Sequence, residues 1–333
     1  MVTSSNSCFD LESYIFAIPE LWEQDWEASI QESEGVEKSI IIAQARAANL
    51  LKTIKDKTVT PDRLAWMSLW TKSFCLLDGA YAAMSRNSLF SLEVLNRIAL
   101  EVYLHTHVIA EPLMPPESTM QYKETVIDRL CAYTAWTLLE DRELFWEHSK
   151  KRNLDMIWSP APANSIKRNR ALLEKYESVH GELELETDPS WLRAERRKQE
   201  DQLHKNTNRI DEWLRHPQLR EWTRKIAVLA QKTKPKSLSF FAIFNEDDKS
   251  IRQRLINLNQ GFAYLSYQQA SILIHGSSMD QFFHVKNDNL FPKLVATHDE
   301  AESIAKIVCS NCTNIILLLA LIQRKLPTKT ADI

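Results

Sequence analysis

The chain of 333 residues is long enough for one large helical core or for two domains, and its 44% hydrophobic and 26% charged residues are those of a globular protein. A formal net charge of −3 excludes a surface built around wholesale phosphate neutralisation, although a local basic patch is compatible with it. Only 5 glycines occur, at 35, 79, 181, 261 and 276, so neither a dinucleotide-binding fingerprint nor a P-loop can be assembled from them.

The opening MVTSSNSCFDLESYIF has no basic start and no uninterrupted apolar stretch, which sets the expectation of a reduced, cytoplasmic protein without a secretory leader. Apolar residues then recur at spacings of three and four, as in Leu76, Leu77, Ala80, Tyr81 and Met84. They predict helices over 10–33, 36–56, 61–84, 86–110 and 119–149. Thr60-Pro61 before DRLAWMSLW puts a cap residue ahead of a proline at the first helical position. From about 160 to 216 the text becomes highly charged, with predicted helices over 164–179 and 189–214, the second opened by Asp188-Pro189-Ser190. Sparse apolar residues there suggest an exposed hairpin or cap, and the interleaved acids speak against a basic nucleic-acid arm. After a basic loop, KTKPKSLS at 232–239, further helices are predicted; with 218–232 just before it they cover 247–275 and 298–324. Thr297 caps the last, with acids in its first turn.

Strand signals are nearly absent. The expected architecture is all-α, a multi-helix bundle of about ten helices. A discontinuous core, 1–158 plus 218–333, carries a charged helical insertion over 159–217. In the last helix Cys309 and Cys312 form a CxxC, but no second pair or nearby histidine completes a zinc set, so no metal is expected and both read as small core residues. Its apolar run, 315–322, is too short to span a bilayer, and the helix reads as a buried one with no membrane partner.

Two helices carry polar ladders on otherwise apolar surfaces. In FSLEVLNRIALEVYLHTHVIA, Glu93, Arg97, Glu101 and His105 follow one another at i+4 among residues that leave almost no solvent face. Buried charges must be paired, so Arg97 and Glu101 read either as a pin between helices or as a site, with Glu93 and His105 at its rim. In YLSYQQASILIHGSS, Tyr267, Ser271 and His275 form a second ladder, stopped by Gly276 as the expected C-cap. Packing one stripe against the other would give Arg97, Glu101 and His275 a common pocket holding a base or acid, an orienting charge and an anion-binding guanidinium.

LEVLNRIALE followed by YQQASILIHGS resembles a bacterial all-helical domain family of unknown function, and DRLCAYTAWTLLEDREL resembles that family's middle helix. The likeness covers 60–150 and 218–280; where the family shows LRSLFE-like text, this chain has LNRIALE and departs at the two residues after the arginine. The resemblance implies that Arg97, Glu101, Tyr267, Ser271 and His275 are the family positions, and it supplies no activity. A more distant similarity is to HEPN domains, helical bundles whose ribonuclease members carry an arginine, a gap of four to six residues, then a histidine. Arg142 and His148, Arg197 and His204, and Arg209 and His216 have that spacing, and the first pair ends the aromatic helix beside the proposed core.

Three functions follow as alternatives. A metal-independent endoribonuclease would use histidine as general base on the ribose 2′-OH and arginine against the phosphorane charge, either at Arg97/Glu101/His275 or at Arg142/His148. A helical interaction or regulatory protein would keep the stripes for register alone. A pocket for a nucleotide or other small molecule would use Arg97 for an anion and Tyr267 for stacking. No cofactor is expected, the partner is RNA, a nucleotide or a protein, and a homo-oligomer is compatible with each. Reachable Arg97 favours a site; sealed Arg97 favours a pin.

Overall fold

The computed structural model describes residues 24–54, 59–114, 124–149, 189–232, 238–260 apart from 246 and 249, 263–265, 267, 268, 271, 283–286, 289–292 and 296–326. Its helices are α1 (Trp26–Glu32), α2 (Gly35–Lys52), α3 (Pro61–Ser85), α4 (Leu89–Ala110), α5 (Val126–Ser149), α6 (Pro189–Leu214), α7 (Pro217–Lys232), α8 (Ile251–Asn257) and α9 (His298–Gln323). Single 3-10 turns occupy Glu111–Leu113 and Phe240–Ile243. The fold is all-α. A short antiparallel hairpin, β1 (Phe283–Lys286) with β2 (Asn289–Pro292), pairs Lys286 with Asn289 and is the one sheet among the described residues. The hairpin lies in the stretch 276–297, between the helices predicted over 247–275 and 298–324.

The chain divides into two units, 1–134 with 224–333, and 135–223; the charged stretch 159–217 belongs to the second. In the first unit, α9 lies against α2, α3 and α4, while α3 also packs on α2 and α4. The apolar faces that make this core include Trp66, Leu69, Trp70 and Leu77 of α3, Leu92 and Leu104 of α4, and Ile315, Leu319 and Ile322 of α9. Two buried tryptophans tie the layers by hydrogen bonds as well as area. Trp66 Nε1 donates to the Leu319 carbonyl at 3.0 Å, and Trp70 Nε1 to the Ala47 carbonyl at 2.9 Å. Both indole N–H groups would otherwise be stranded in an apolar core. Helix α9 is long and apolar enough, by length and composition, to cross a membrane; the same property serves a helix with three helical neighbours.

Helix ends obey local rules. Thr297 and Glu300 form a reciprocal capping box at the start of α9. Asn87 (φ 50°) and Asn259 (φ 55°) take the left-handed conformation just past α3 and α8. At the first, Ser88 N–H bonds to Ala83 O and Asn87 N–H to Met84 O; at the second, Gln260 N–H bonds to Leu255 O and Asn259 N–H to Ile256 O. This is the Schellman arrangement, with asparagine in the place usually given to glycine. The second instance interrupts the helix predicted over 247–275: α8 stops at Asn257, and the described residues between 263 and 271 are helical again.

The second unit contains most of α5 and all of α6. Helix α6 is polar along most of its length, and Arg142 of α5 pairs with Asp211 of α6 at 2.8 Å.

Candidate functional site

Helix α4 runs through the first unit with its ladder intact, but the four rungs meet different environments. Arg97 Nε and Glu101 Oε1 are 3.3 Å apart, with side chains 25% and 32% exposed, so the pair is reachable and not sealed. The expectation of a buried pair is corrected to that extent. Tyr267 donates its hydroxyl to Glu101 Oε1 at 3.0 Å, and the Arg97 guanidinium lies 5.2 Å from the Tyr267 ring centre. Glu101 therefore accepts from both partners, while the ring supports the cation from the side. Burial first, then the Glu101 charge, pushes the Tyr267 phenol above its ordinary range, so it stays a donor at neutral pH.

The neighbouring segment runs antiparallel to α4, since Arg254 meets Glu111 and His107 at the C-terminal end of α4 and Tyr267 meets Glu101 and Arg97 a few turns earlier. Ser271 Oγ and Glu93 Oε2 are both buried without a hydrogen-bond partner. Burial also raises the Glu93 carboxyl above its ordinary range, partly offset by its bond to Asn96. Glu93 as a residue is half-buried, in keeping with a place at the rim. His275, Gly276, Ser277 and Ser278 lie outside the described residues.

His105 departs from the rim position. Its ring is enclosed by Tyr133, Phe240 and Phe241 at 5.2–5.6 Å between centres. Burial, with a smaller contribution from the Lys72 charge, pushes its pKa down from 6.5 to about 3. A histidine held neutral among aromatics is a packing residue, and Lys72 instead bonds to the Tyr133 hydroxyl at 3.1 Å.

Sequence reasoning missed a second polar group, at the C-terminal end of α4. Arg129 Nη1 donates to Glu111 Oε2 at 2.7 Å and to the Val108 carbonyl. Arg254 bonds to Glu111 Oε1 through one nitrogen and to Asp248 Oδ2 at 2.8 Å through the other, while Asn257 donates to the opposite Asp248 oxygen. His107 Nδ1 lies 3.3 Å from Arg254 Nη2; arginine can only donate, so Nδ1 accepts. The side chains of Arg129, Arg254 and Asp248 are 3%, 8% and 1% exposed. Two guanidinium groups and two carboxylates cancel in charge, and the cations sit where the last carbonyls of α4 concentrate negative charge. Burial lowers the Arg254 pKa to about 10; burial first, with the Asp247 charge and against the hydrogen bonds of Asn257 and Asn245, raises that of Asp248. This buried quartet, in which Arg254 Nε is left without a partner, ties the end of α4 to α5 and to the 248–257 segment. The signal was an arginine on the apolar face of α5, in step with Ala132, Tyr133 and Trp136.

The alternative pair, Arg142 and His148, is only half described. Arg142 is 52% exposed and salt-bridged to Asp211, and the His148 side chain lies outside the described residues. Cys309 and Cys312 are buried thiols, raised above the ordinary cysteine range by burial, on the core face of α9. Comparison with protein-family models, curated proteins and solved structures found no match to this chain.

Proposed function

We propose that this protein is a helical RNA-directed factor that contacts the phosphodiester through Arg97, stacks a base on Tyr267 and cuts with His275 as the proton-transfer group. The observation that carries the reading is the state of Arg97: one quarter exposed, held by Glu101 from one side and by the Tyr267 ring from another. A guanidinium fixed in this way has already lost most of its rotamer freedom, and its planar fork suits phosphate oxygens. Tyrosine beside it offers the face on which single-stranded bases stack. Glu101 cancels the charge of Arg97 at long range, so affinity should be modest, with a salt slope near −0.7 for a single phosphate contact.

The test is fluorescence anisotropy with labelled single-stranded RNA, alongside a cleavage gel. Arg97→Gln should weaken binding about tenfold or more, the size expected for one charge-assisted contact. Unchanged binding by a folded Arg97→Gln protein refutes the site. Cleavage lost in His275→Ala and kept in His148→Ala supports the assignment, and the opposite pattern moves the chemistry to Arg142 and His148. Absence of cleavage by well-folded protein retires both nuclease versions.

One observation favours the non-catalytic alternative. Glu101 accepts from both Arg97 and Tyr267, so the three groups already satisfy part of one another's hydrogen-bonding needs. Under that reading Arg97→Gln lowers the melting temperature and leaves RNA binding where it was.

A further inference from the structure

We infer that Arg252 and Tyr264 form a second nucleotide step beside Arg97 and Tyr267, so that the ligand is a single strand of at least two nucleotides and not a mononucleotide. The inference rests on the reading of the Arg97 group as an RNA contact, and extends it to the length of strand the surface takes.

The second pair repeats the geometry of the first. The Arg252 guanidinium lies 5.6 Å from the Tyr264 ring centre, against 5.2 Å for Arg97 and Tyr267. The two arginines come from different helices, α8 and α4, whereas the two tyrosines share one segment. The described residues of that segment, 263–265, 267, 268 and 271, are helical, and Tyr264 and Tyr267 sit at i and i+3 within it. Residues at that spacing are neighbours on one helix face, roughly 5–6 Å apart between Cβ atoms. Both tyrosines are half-buried, so each ring keeps part of its surface in solvent. Successive bases of a single strand stack on successive aromatic side chains, and two rings one helical turn apart make such a platform.

Local chemistry explains how Arg252 arrives there. Helix α8 ends through left-handed Asn259, Gln260 N–H returns to Leu255 O, and Gln260 O accepts from Ala263 N–H as the chain turns into the helical residues that follow. That turn brings Tyr264 back to α8. Arg252 and Arg254 then meet opposite environments. Arg254 is buried in the quartet with Glu111 and Asp248, while Arg252 is exposed.

The two stacked arginines also differ in charge balance. Glu101 accepts from Arg97 and cancels its charge at long range. Arg252 has no hydrogen bond or ion pair among the described residues, and the Tyr264 ring is what it lies against. A ring orients a guanidinium plane without consuming its N–H groups, so the charge and the donors of Arg252 stay open to an acceptor. Phosphate oxygens suit that planar fork. A mononucleotide brings one base and one phosphate, which satisfy one pair. A strand reaches both, and the second contact forms at the effective concentration that the first one sets.

The experiment is fluorescence anisotropy of the full-length protein with a labelled single-stranded oligouridylate of about ten nucleotides, at several salt concentrations. The Arg97 contact alone gives a log–log salt slope near −0.7; the second contact should bring the wild type to about −1.4. Arg252→Gln, at an exposed position, should return the slope to about −0.7 and weaken binding about tenfold at low salt, with far-ultraviolet spectrum and melting temperature unchanged. Tyr264→Leu should weaken binding about tenfold, and Tyr264→Phe, which keeps the ring, should retain it. Arg86→Gln, the same charge change on an exposed residue past α3, should leave affinity and slope in place. Unlabelled uridine monophosphate should compete at least about a hundredfold less well than the unlabelled strand. A wild-type slope near −0.7 that Arg252→Gln does not move overturns the inference and leaves the Arg97 reading standing. Equal weakening by Arg86→Gln overturns it too, since general attraction of charge would then account for the effect, and so does equal competition by the mononucleotide. If the wild type does not bind the strand, or a folded Arg97→Gln protein binds it unchanged, the Arg97 reading fails and the inference with it.

Discussion

Removing Arg254 should destabilise the protein far more than removing Arg97, although both arginines bond to carboxylates of, or just beyond, the same helix. In Arg254→Ala, Asp248 keeps only the neutral partners Asn257 and Asn245, Glu111 keeps Arg129, and the Asp248 side chain is 1% exposed. Breaking a buried pair by deleting one partner costs about 3–5 kcal/mol, because the other charge stays out of water. Asp248 can escape part of that cost by taking up a proton, since burial already raises its pKa, which points to the lower end, about 3 kcal/mol. Arg97→Ala removes a pair whose members are 25% and 32% exposed, and pairs of that kind contribute about 0–1 kcal/mol. Equilibrium urea unfolding separates the two: with a slope of about 2 kcal/mol per molar, the Arg254 variant should lose roughly 1.5 M in midpoint and the Arg97 variant less than about 0.5 M. Equal shifts would refute the assignment of the quartet as the pin and the Arg97 group as the reachable site.

The remaining predictions concern titration and reactivity. His105 has a folded pKa below its unfolded value, so the unfolded chain binds the proton first; its contribution to stability is complete above about pH 6.5 and is lost as pH falls towards 3, at up to about 1.4 kcal/mol per pH unit. His105→Leu should remove that slope from the pH dependence of unfolding, and an unchanged slope would show that the aromatic cluster does not exclude the proton. Iodoacetamide at mild alkaline pH should modify exposed Cys75 in the native protein and spare Cys309 and Cys312 until denaturant is added, read by peptide mass mapping; native labelling of the CxxC would contradict its burial in the core.

Local chemistry made most of the helical frame legible in the sequence. Apolar spacing, Thr60-Pro61 ahead of α3 and Thr297 ahead of α9 specify helices and their starts through interactions spanning three or four residues, and these survive into the fold. The same locality explains the misses. Asn259 ends α8 through a left-handed residue and bonds to the preceding turn, which a periodic pattern running on from 247 to 275 conceals. Sequence placed Arg97, Glu101 and His105 on one stripe, and the tertiary structure gave them separate fates. Tyr267 reaches Glu101 across 166 residues, while Phe240 and Phe241 close over His105. Arg129 and Arg254 show no shared pattern along the chain, because each reaches Glu111 from a different segment, and Asp248 joins the group only through Arg254 six residues on. Helices follow from short-range hydrogen bonding and spacing that the sequence by itself contains. Which charge is buried, paired or left within reach of solvent follows from long-range packing, where the cost of desolvation is set by neighbours that only the folded chain supplies.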